Sequence, residues 1–240
     1  MKILITICAR GGSKGIPGKN IKPINGIPLI AYSIKTALEF ADIYNADVAL
    51  STDDILIKNT AGKHGLSSKY IRPYHLSTDT AGKIAVIKDI LAFEEMRKGL
   101  SYDYVLDLDV TSPLRTIKDL EDAFKIIQAD KDAVNLFSVS PAARNPYFNM
   151  VERKEDGYYS VVKKFEGVYL SRQSAPKVFD INGSFYFYNK KFFENNYNSA
   201  TTDKSLVYVM PHLCFDLDER HDFEFMEFLI QNNKLDFSLG

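Results

Sequence analysis

The amino-acid sequence predicts an α/β protein, a mostly parallel sheet wound with helices and carrying a small β-rich insertion. Three observations lead there. Strand-like apolar runs alternate with helix-like periodicities through the first 140 residues, as parallel strands joined by crossover helices require. The opening run, Lys2 to Cys8, is apolar without polar alternation, which marks a strand buried on both faces. After Ser140 the texture changes to prolines, aromatics and charges with little helical period.

The elements follow in order. Pro28 suits the start of a helix that continues through Leu29, Ile34 and Leu38. Ala46 to Leu50 reads as a strand, then come a polar helix from about Asp53 to Lys63 and a short strand at Lys69 to Ile71. Ile84, Ile87, Ile90 and Leu91 recur at helical spacing. Tyr104 to Val110 is the next strand. Thr116 then reads as the N-cap of a helix with Asp119 in its first turn and Ile117, Leu120, Phe124 and Ile127 on one face. Ala133 to Val139 closes this series as a strand. Tyr158 to Phe165 and Ser184 to Tyr188 read as antiparallel strands or hairpin arms. A strand at Leu206 to Met210 and a helix from about Glu219 to Asn232 rejoin the first layer. The expected organisation is an α/β domain of residues 1–140 plus 190–240, with a β-rich insertion at 141–189.

Composition excludes several classes. A chain of 240 residues, 45% hydrophobic, can bury a substantial core, and its net charge of −1 gives no general reason for a nucleic-acid or anionic-membrane partner. No apolar stretch approaches the ~20 residues of a membrane span, and Met1-Lys2 leads into a strand with no signal-peptide cleavage site. Cys8 and Cys214 are too few and too distant for a disulfide framework. A cytoplasmic chain with two reduced, buried thiols is expected. The four histidines lack zinc-ligand spacing, and no Gly-x-Ser-x-Gly elbow or Cys/His arrangement points to covalent catalysis.

The first strand runs into ICARGGSKGIPGKN, residues 7–20, where Arg10, Lys14 and Lys19 stand among four glycines with no acid. Open α/β sheets bind ligands beyond the carboxyl ends of their strands, and glycines let backbone N–H groups approach an anion. Cations on such a loop suit a polyphosphate. Two familiar phosphate motifs are absent. Gly11-Gly12-Ser13 does not make G-x-G-x-x-G, and a P-loop reading fails at Ser13 and at Asn20.

Residues 9–20, ARGGSKGIPGKN, resemble the signature of the CMP-sialic acid synthetases, the acylneuraminate cytidylyltransferases. The resemblance continues at Arg72-Pro73 with Leu76, Asp79 and Thr80, and at Thr111-Ser112-Pro113-Leu114-Arg115. It resumes at Arg172-Gln173, Asn182-Gly183 and Asp216-Leu217-Asp218, in the family's order over almost the whole chain. It implies a Rossmann-like nucleotidyltransferase fold with a dimerising insertion, and a reaction in which CTP and a nine-carbon 2-keto sugar acid give the CMP-sugar and pyrophosphate.

The resemblance also implies roles. Arg10, Gly11, Ser13, Lys14, Lys19 and Asn20 would line the CTP phosphates and ribose, with Thr80 at the nucleotide and Arg72 reading the cytosine edge through its donors. Charge builds on the leaving pyrophosphate, so Arg10 and Lys19 are the expected catalytic cations. Asp216 and Asp218, on one face of an extended segment, would hold magnesium or manganese. Asp109, Thr111, Ser112, Arg172, Gln173 and Asn182 would meet the sugar or its support, Arg172 from the neighbouring subunit of a homodimer.

Two departures from the family stand out. Asp109, second acid of Asp107-x-Asp109, and Val110 replace a Gln-Pro pair, which leaves Asp109 as a metal ligand, a base towards the sugar hydroxyl or a specificity residue. Phe148 stands where some sialic acid enzymes carry lysine. Legionaminic- or pseudaminic-type acids are therefore plausible substrates beside sialic acid. The alternatives are a nucleotidyltransferase for a Kdo-like acid or sugar 1-phosphate, and a nucleotide-binding protein without turnover.

Overall fold

A computed structural model of the chain describes residues 1–12, 15–164 and 172–239. Its centre is a six-stranded sheet of β1 (Ile3–Cys8), β4 (Asp47–Ser51), β5 (Tyr104–Leu108), β6 (Asn135–Pro141), β9 (Phe179–Asn189) and β10 (Ser205–Val209). The strand order is β10-β6-β9-β5-β1-β4. β1 runs parallel to β4 and β5, and β10 parallel to β6, while β9 lies antiparallel between β5 and β6. The sheet is thus mostly parallel and wound, as expected. Two short ribbons complete the strands, β2 (Pro23–Ile24) with β3 (Ile27–Pro28) and β7 (Val151–Arg153) with β8 (Tyr159–Val161).

Side-chain alternation explains why the sheet is covered on both faces. Ile3, Ile5 and Ile7 of β1, Leu106 and Leu108 of β5, and Phe185 and Phe187 of β9 enter one core. Helices α1 (Leu29–Tyr44), α4 (Ile117–Ala129) and α6 (Arg220–Gln231) close it with Ile30, Ile34, Phe40, Phe124 and Phe223. The intervening residues Leu4, Val105 and Tyr188 enter a second core. There α3 (Lys83–Lys98) supplies Ile84, Ile87 and Ile90, and α5 (Lys190–Glu194) supplies Phe192. Helix α2 (Ile55–Lys63) is capped by Asp54, whose carboxylate accepts from the N–H groups of Leu56 and Ile57. No helix among the described residues is long and apolar enough to cross a membrane.

Three expectations are corrected. Lys69 to Ile71 forms no strand; the segment leans on β4 through Arg72 N–H to Thr52 O (3.0 Å), and the Tyr70 hydroxyl binds Asp89. Ser184 to Tyr188 is an antiparallel strand, the first of the two readings given, but not a hairpin arm of an insertion. It belongs to the eleven-residue β9 in the central sheet, because Phe185 and Phe187 face one core while Tyr188 faces the other. The segment that leaves the sheet is therefore 142–178, shorter than 141–189. Within it the strand expected from Tyr158 spans Tyr159–Val161, and Phe165 lies outside the described residues.

Helix α4 begins with a full capping box: Thr116 N–H and Oγ1 donate to Asp119 Oδ2 (2.7 and 2.6 Å), and Asp119 N–H donates to Thr116 Oγ1 (3.2 Å). The same buried carboxylate meets His212 Nε2 at 2.9 Å and accepts from the Tyr208 hydroxyl at 3.1 Å. The His212 ring stacks on Phe237, so one acid binds α4, β10 and the C-terminal segment. Burial pushes the His212 pKa down, but the Asp119 hydrogen bond outweighs it and the net shift is upward. Asp119→Ala should destabilise the chain by about 2 kcal/mol, from the lost cap and two orphaned donors. A histidine with a raised folded pKa contributes fully below its ordinary value and loses that contribution as pH rises through the raised one. Urea unfolding at about pH 6 and about pH 9 should show the gap between wild type and Asp119→Ala narrowing at the higher pH. A gap independent of pH would mean that His212 is neutral throughout.

Candidate active site

The carboxyl ends of β1, β4 and β5 open into one cleft of about 320 Å³. Arg10, Lys19 and Asn20 from the glycine-rich loop, Arg72 from the segment after α2, and Asp109 and Thr111 from the end of β5 all line it. Cys8, Leu76, Ala81 and Val86 add apolar wall.

The loop is pinned where it leaves β1. Gly11 N–H donates to Asp53 Oδ1 at 3.0 Å. A Cβ built on Gly11 would lie 2.5 Å from Asp54 Oδ2 and 2.9 Å from its Cβ, so only glycine fits. Asn20 Nδ2 donates back to Arg10 O (2.9 Å), which closes the loop on itself. Its cations are held by acids. Arg10 pairs with Asp79 at 2.6 Å, and Lys19 Nζ reaches Asp218 Oδ1 (3.1 Å) and Leu217 O (2.8 Å). Arg72 is buried; its Nε donates to Ser51 Oγ (2.9 Å) and one terminal nitrogen to Ser51 O (2.8 Å). Two of its nitrogens are thus anchored to β4.

The floor of the cleft is acidic and balanced from across the second core. Lys83, first residue of α3, places Nζ 2.8 Å from Asp107 Oδ2 and 2.6 Å from Asp109 Oδ2, and 4.9 Å from the centre of the Tyr186 ring. Asp107 is fully buried and also accepts from Thr6 Oγ1 (2.7 Å). Asp109 Oδ1 accepts from Thr111 N–H (2.9 Å) and Thr111 Oγ1 (3.0 Å). Burial raises the Asp109 pKa, but Lys83 and Thr111 outweigh it and hold the carboxyl at about 2. Burial likewise lowers the Lys83 pKa, while Asp107 and Asp109 carry it well above the usual lysine value. Burial and the neighbouring Asp107 push the Cys8 thiol far up, so it stays protonated; both cysteines are free.

Not every residue expected at the site faces it. Arg115 is buried, and its guanidinium donates to Asp109 O and to Ser33 Oγ (2.8 Å), so it supports the chain under Asp109. Ser112 is also buried, with Oγ turned to Phe215 O at 3.3 Å. The Asn182 amide is spent within the sheet, accepting from Ser138 Oγ (2.6 Å) and donating to Ser140 Oγ (3.0 Å). Thr80 and Gln173 are exposed outside the lining. Ser13, Lys14 and the Arg172 side chain lie outside the described residues.

Asp216 and Asp218 follow β10 and approach the cleft from the side of Lys19. Asp218 is largely exposed. Asp216 Oδ1 is buried without a hydrogen-bond partner, and burial, then the charges of Asp109 and Asp218, raise its pKa. Gly183, at φ +71°, faces the other oxygen, with its would-be Cβ 3.7 Å from Asp216 Oδ2. An orphaned, dehydrated carboxylate oxygen beside a second carboxylate fits a hard divalent cation that takes its remaining ligands from water and phosphate. No group of three or more histidine, cysteine or acidic side chains among the described residues forms a metal cage.

Sequence reasoning missed Asp53, Asp54 and Lys83 as builders of this cleft. A signal existed for Lys83, since two acids at i and i+2 on a strand that is apolar on both sides need a cation from elsewhere.

A basic glycine loop at the end of the first parallel strand, opposite an anchored arginine, defines a nucleotide-binding α/β protein. Residues 4–238 match the family model described as cytidylyltransferase, and the chain belongs to that family. It is 39% identical to the post-translational flagellin modification protein B of Campylobacter coli, over 98% of this chain and 97% of that protein. It is 37% identical to the CMP-N,N'-diacetyllegionaminic acid synthase of Campylobacter jejuni, again over 98% and 97%. In fold it is similar to CMP:2-keto-3-deoxy-manno-octonic acid synthetase solved with CTP, at a TM-score of 0.68 and 16% identity over 97% of this chain and all of that one.

Proposed function

We propose that this cytidylyltransferase joins CTP to a nine-carbon 2-keto sugar acid of the legionaminic type, giving the CMP-sugar and pyrophosphate. The observation that carries the reading is the meeting of Arg10, Lys19, Asn20, Arg72 and Asp109 at one cleft beyond the carboxyl ends of β1, β4 and β5. The 37% identity to a CMP-N,N'-diacetyllegionaminic acid synthase supports the sugar class.

In this reading the sugar's anomeric hydroxyl oxygen bonds to the α-phosphorus while the bond to the β-phosphate oxygen breaks, and the hydroxyl proton passes to water. Negative charge moves onto pyrophosphate, and Arg10 and Lys19 stabilise it there. Both cations must exchange a carboxylate for phosphate as CTP enters, because Asp79 and Asp218 hold them beforehand. Arg72, fixed on Ser51, offers its remaining N–H donors to the base. Asp109, held at about 2, is too weakly basic to take the hydroxyl proton efficiently at neutral pH, and its role is to orient substrate. Asp216 and Asp218 would hold a magnesium ion, which supplies charge neutralisation at the phosphates when bound.

The exposed apolar groups of the off-sheet segment, Val151, Tyr158 and Tyr159, together with Phe179 and Ile181 at the start of β9, support a two-fold interface that covers them. Such an interface would bring Arg172 to the partner's cleft. Mixed Arg172→Ala and Lys19→Ala subunits, each inactive alone, should then regain part of the activity. No recovery despite subunit exchange would remove the shared site.

Pyrophosphate release should occur with CTP in preference to ATP, GTP and UTP, and with legionaminic acids above sialic, pseudaminic and Kdo acids. Preference for Kdo or for a sugar 1-phosphate would overturn the assignment. Lys19→Ala should lose roughly 10²–10³-fold in kcat while remaining folded. Asp216→Asn and Asp218→Asn should each shift the magnesium titration upward or abolish turnover; unaltered titrations in both would move the metal elsewhere.

A further inference from the structure

Lys83 has no contact with substrate in the roles above, yet it is paired with two carboxylates at the cleft. Its ammonium donates to Asp109 Oδ2 at 2.6 Å and forms an ion pair with Asp107 Oδ2 at 2.8 Å, while the Tyr186 ring lies 4.9 Å away. The side chain crosses from the first turn of α3 to the end of β5, so its stem links two elements. Asp109 gains a fixed orientation from the contact. A carboxylate has about four acceptor sites, and Lys83, Thr111 N–H and Thr111 Oγ1 occupy three of them. The carboxylate is only partly buried and lines the cleft, so the remaining site faces whatever binds there.

Charge then selects what can use that site. One ammonium between two carboxylates leaves a local net charge of −1, which repels phosphate and sugar carboxylate alike. A neutral donor, a hydroxyl or an amide N–H, meets no such penalty. We propose that Lys83 is a positioning residue that sets the Asp109 carboxylate to accept a hydrogen bond from a neutral hydroxyl or amide group of the bound substrates, away from their anionic groups. The inference deepens the function proposed above and rests on it for the identity of the substrates. It also separates the two lysines of the cleft by their partners: Lys19 pairs with the exposed Asp218, whereas Lys83 is engaged by the buried Asp107 and by Asp109.

The test combines kinetics with structure, on the full chain. Lys83→Met and Asp109→Asn should each lower kcat/KM by 20-fold or more, and the double variant should be within threefold of the weaker single, because both remove one unit. Lys83→Arg, which keeps the charge, should recover at least fivefold over Lys83→Met. Multiplying effects in the double variant, or a folded Lys83→Met within threefold of wild type, overturns the proposal. If Lys83→Met fails to fold because Asp107 is left unpaired, Lys83→Met/Asp107→Asn removes that buried charge and carries the same expectations. A crystal structure of the lysine variant should show the Asp109 carboxylate turned from Thr111, and an unmoved carboxylate overturns the proposal whatever the substrate. Absence of turnover by the wild type, by contrast, would sink the function proposed above and leave the crystallographic test to decide the role of Lys83.

Discussion

One ammonium between two carboxylates organises the centre of this molecule. Asp107 has no exposed surface, and a carboxylate taken out of water without a counter-charge costs several kcal/mol. Lys83 from α3 and Thr6 from β1 make its burial tolerable, and Tyr186 from β9 backs the ammonium. Four elements therefore meet at one charged cluster directly below the cleft. Because the cluster reaches Asp109, the position of this wall of the cleft depends on the packing of α3 against the sheet.

Acids also govern the cations above it. Asp53 fixes the turn at Gly11, Asp79 receives Arg10, and Asp218 receives Lys19. A cleft read from its cations alone looks like a strong anion trap. With its acids included it is close to balanced, and a ligand must offer several correctly spaced anionic groups to displace them.

Much of the frame was legible. β1 shows two-sided burial as an apolar run without polar alternation, and Thr116 with Asp119 announced the start of α4. β9 was not legible as a central strand. Ser184 to Tyr188 reads equally as an antiparallel strand or a hairpin arm, and only the partner strands show that both faces are covered. The site divides in the same way. The motif blocks lead to one cleft but not to the direction each side chain faces: in the TSPLR block Thr111 meets the cleft, while Ser112 and Arg115 are turned inward. Lys83 comes from 26 residues before Asp109 in the chain, and no local pattern joins them.

The antiparallel placement of β9 has a geometric consequence. The chain leaves the central sheet along β6 and returns along β9, and these two strands stay paired from Asn135 opposite Tyr188 out to Pro141 opposite Phe179. The connection between them therefore starts and ends on neighbouring strands, with its two covalent links side by side. The ladder is irregular between Phe137 and Val139, across from the stretch of β9 that holds Asn182 and Gly183. Gly183, at φ +71°, stands in that irregularity beside Asp216, so the break in register is also what lets the strand pass close to that acid.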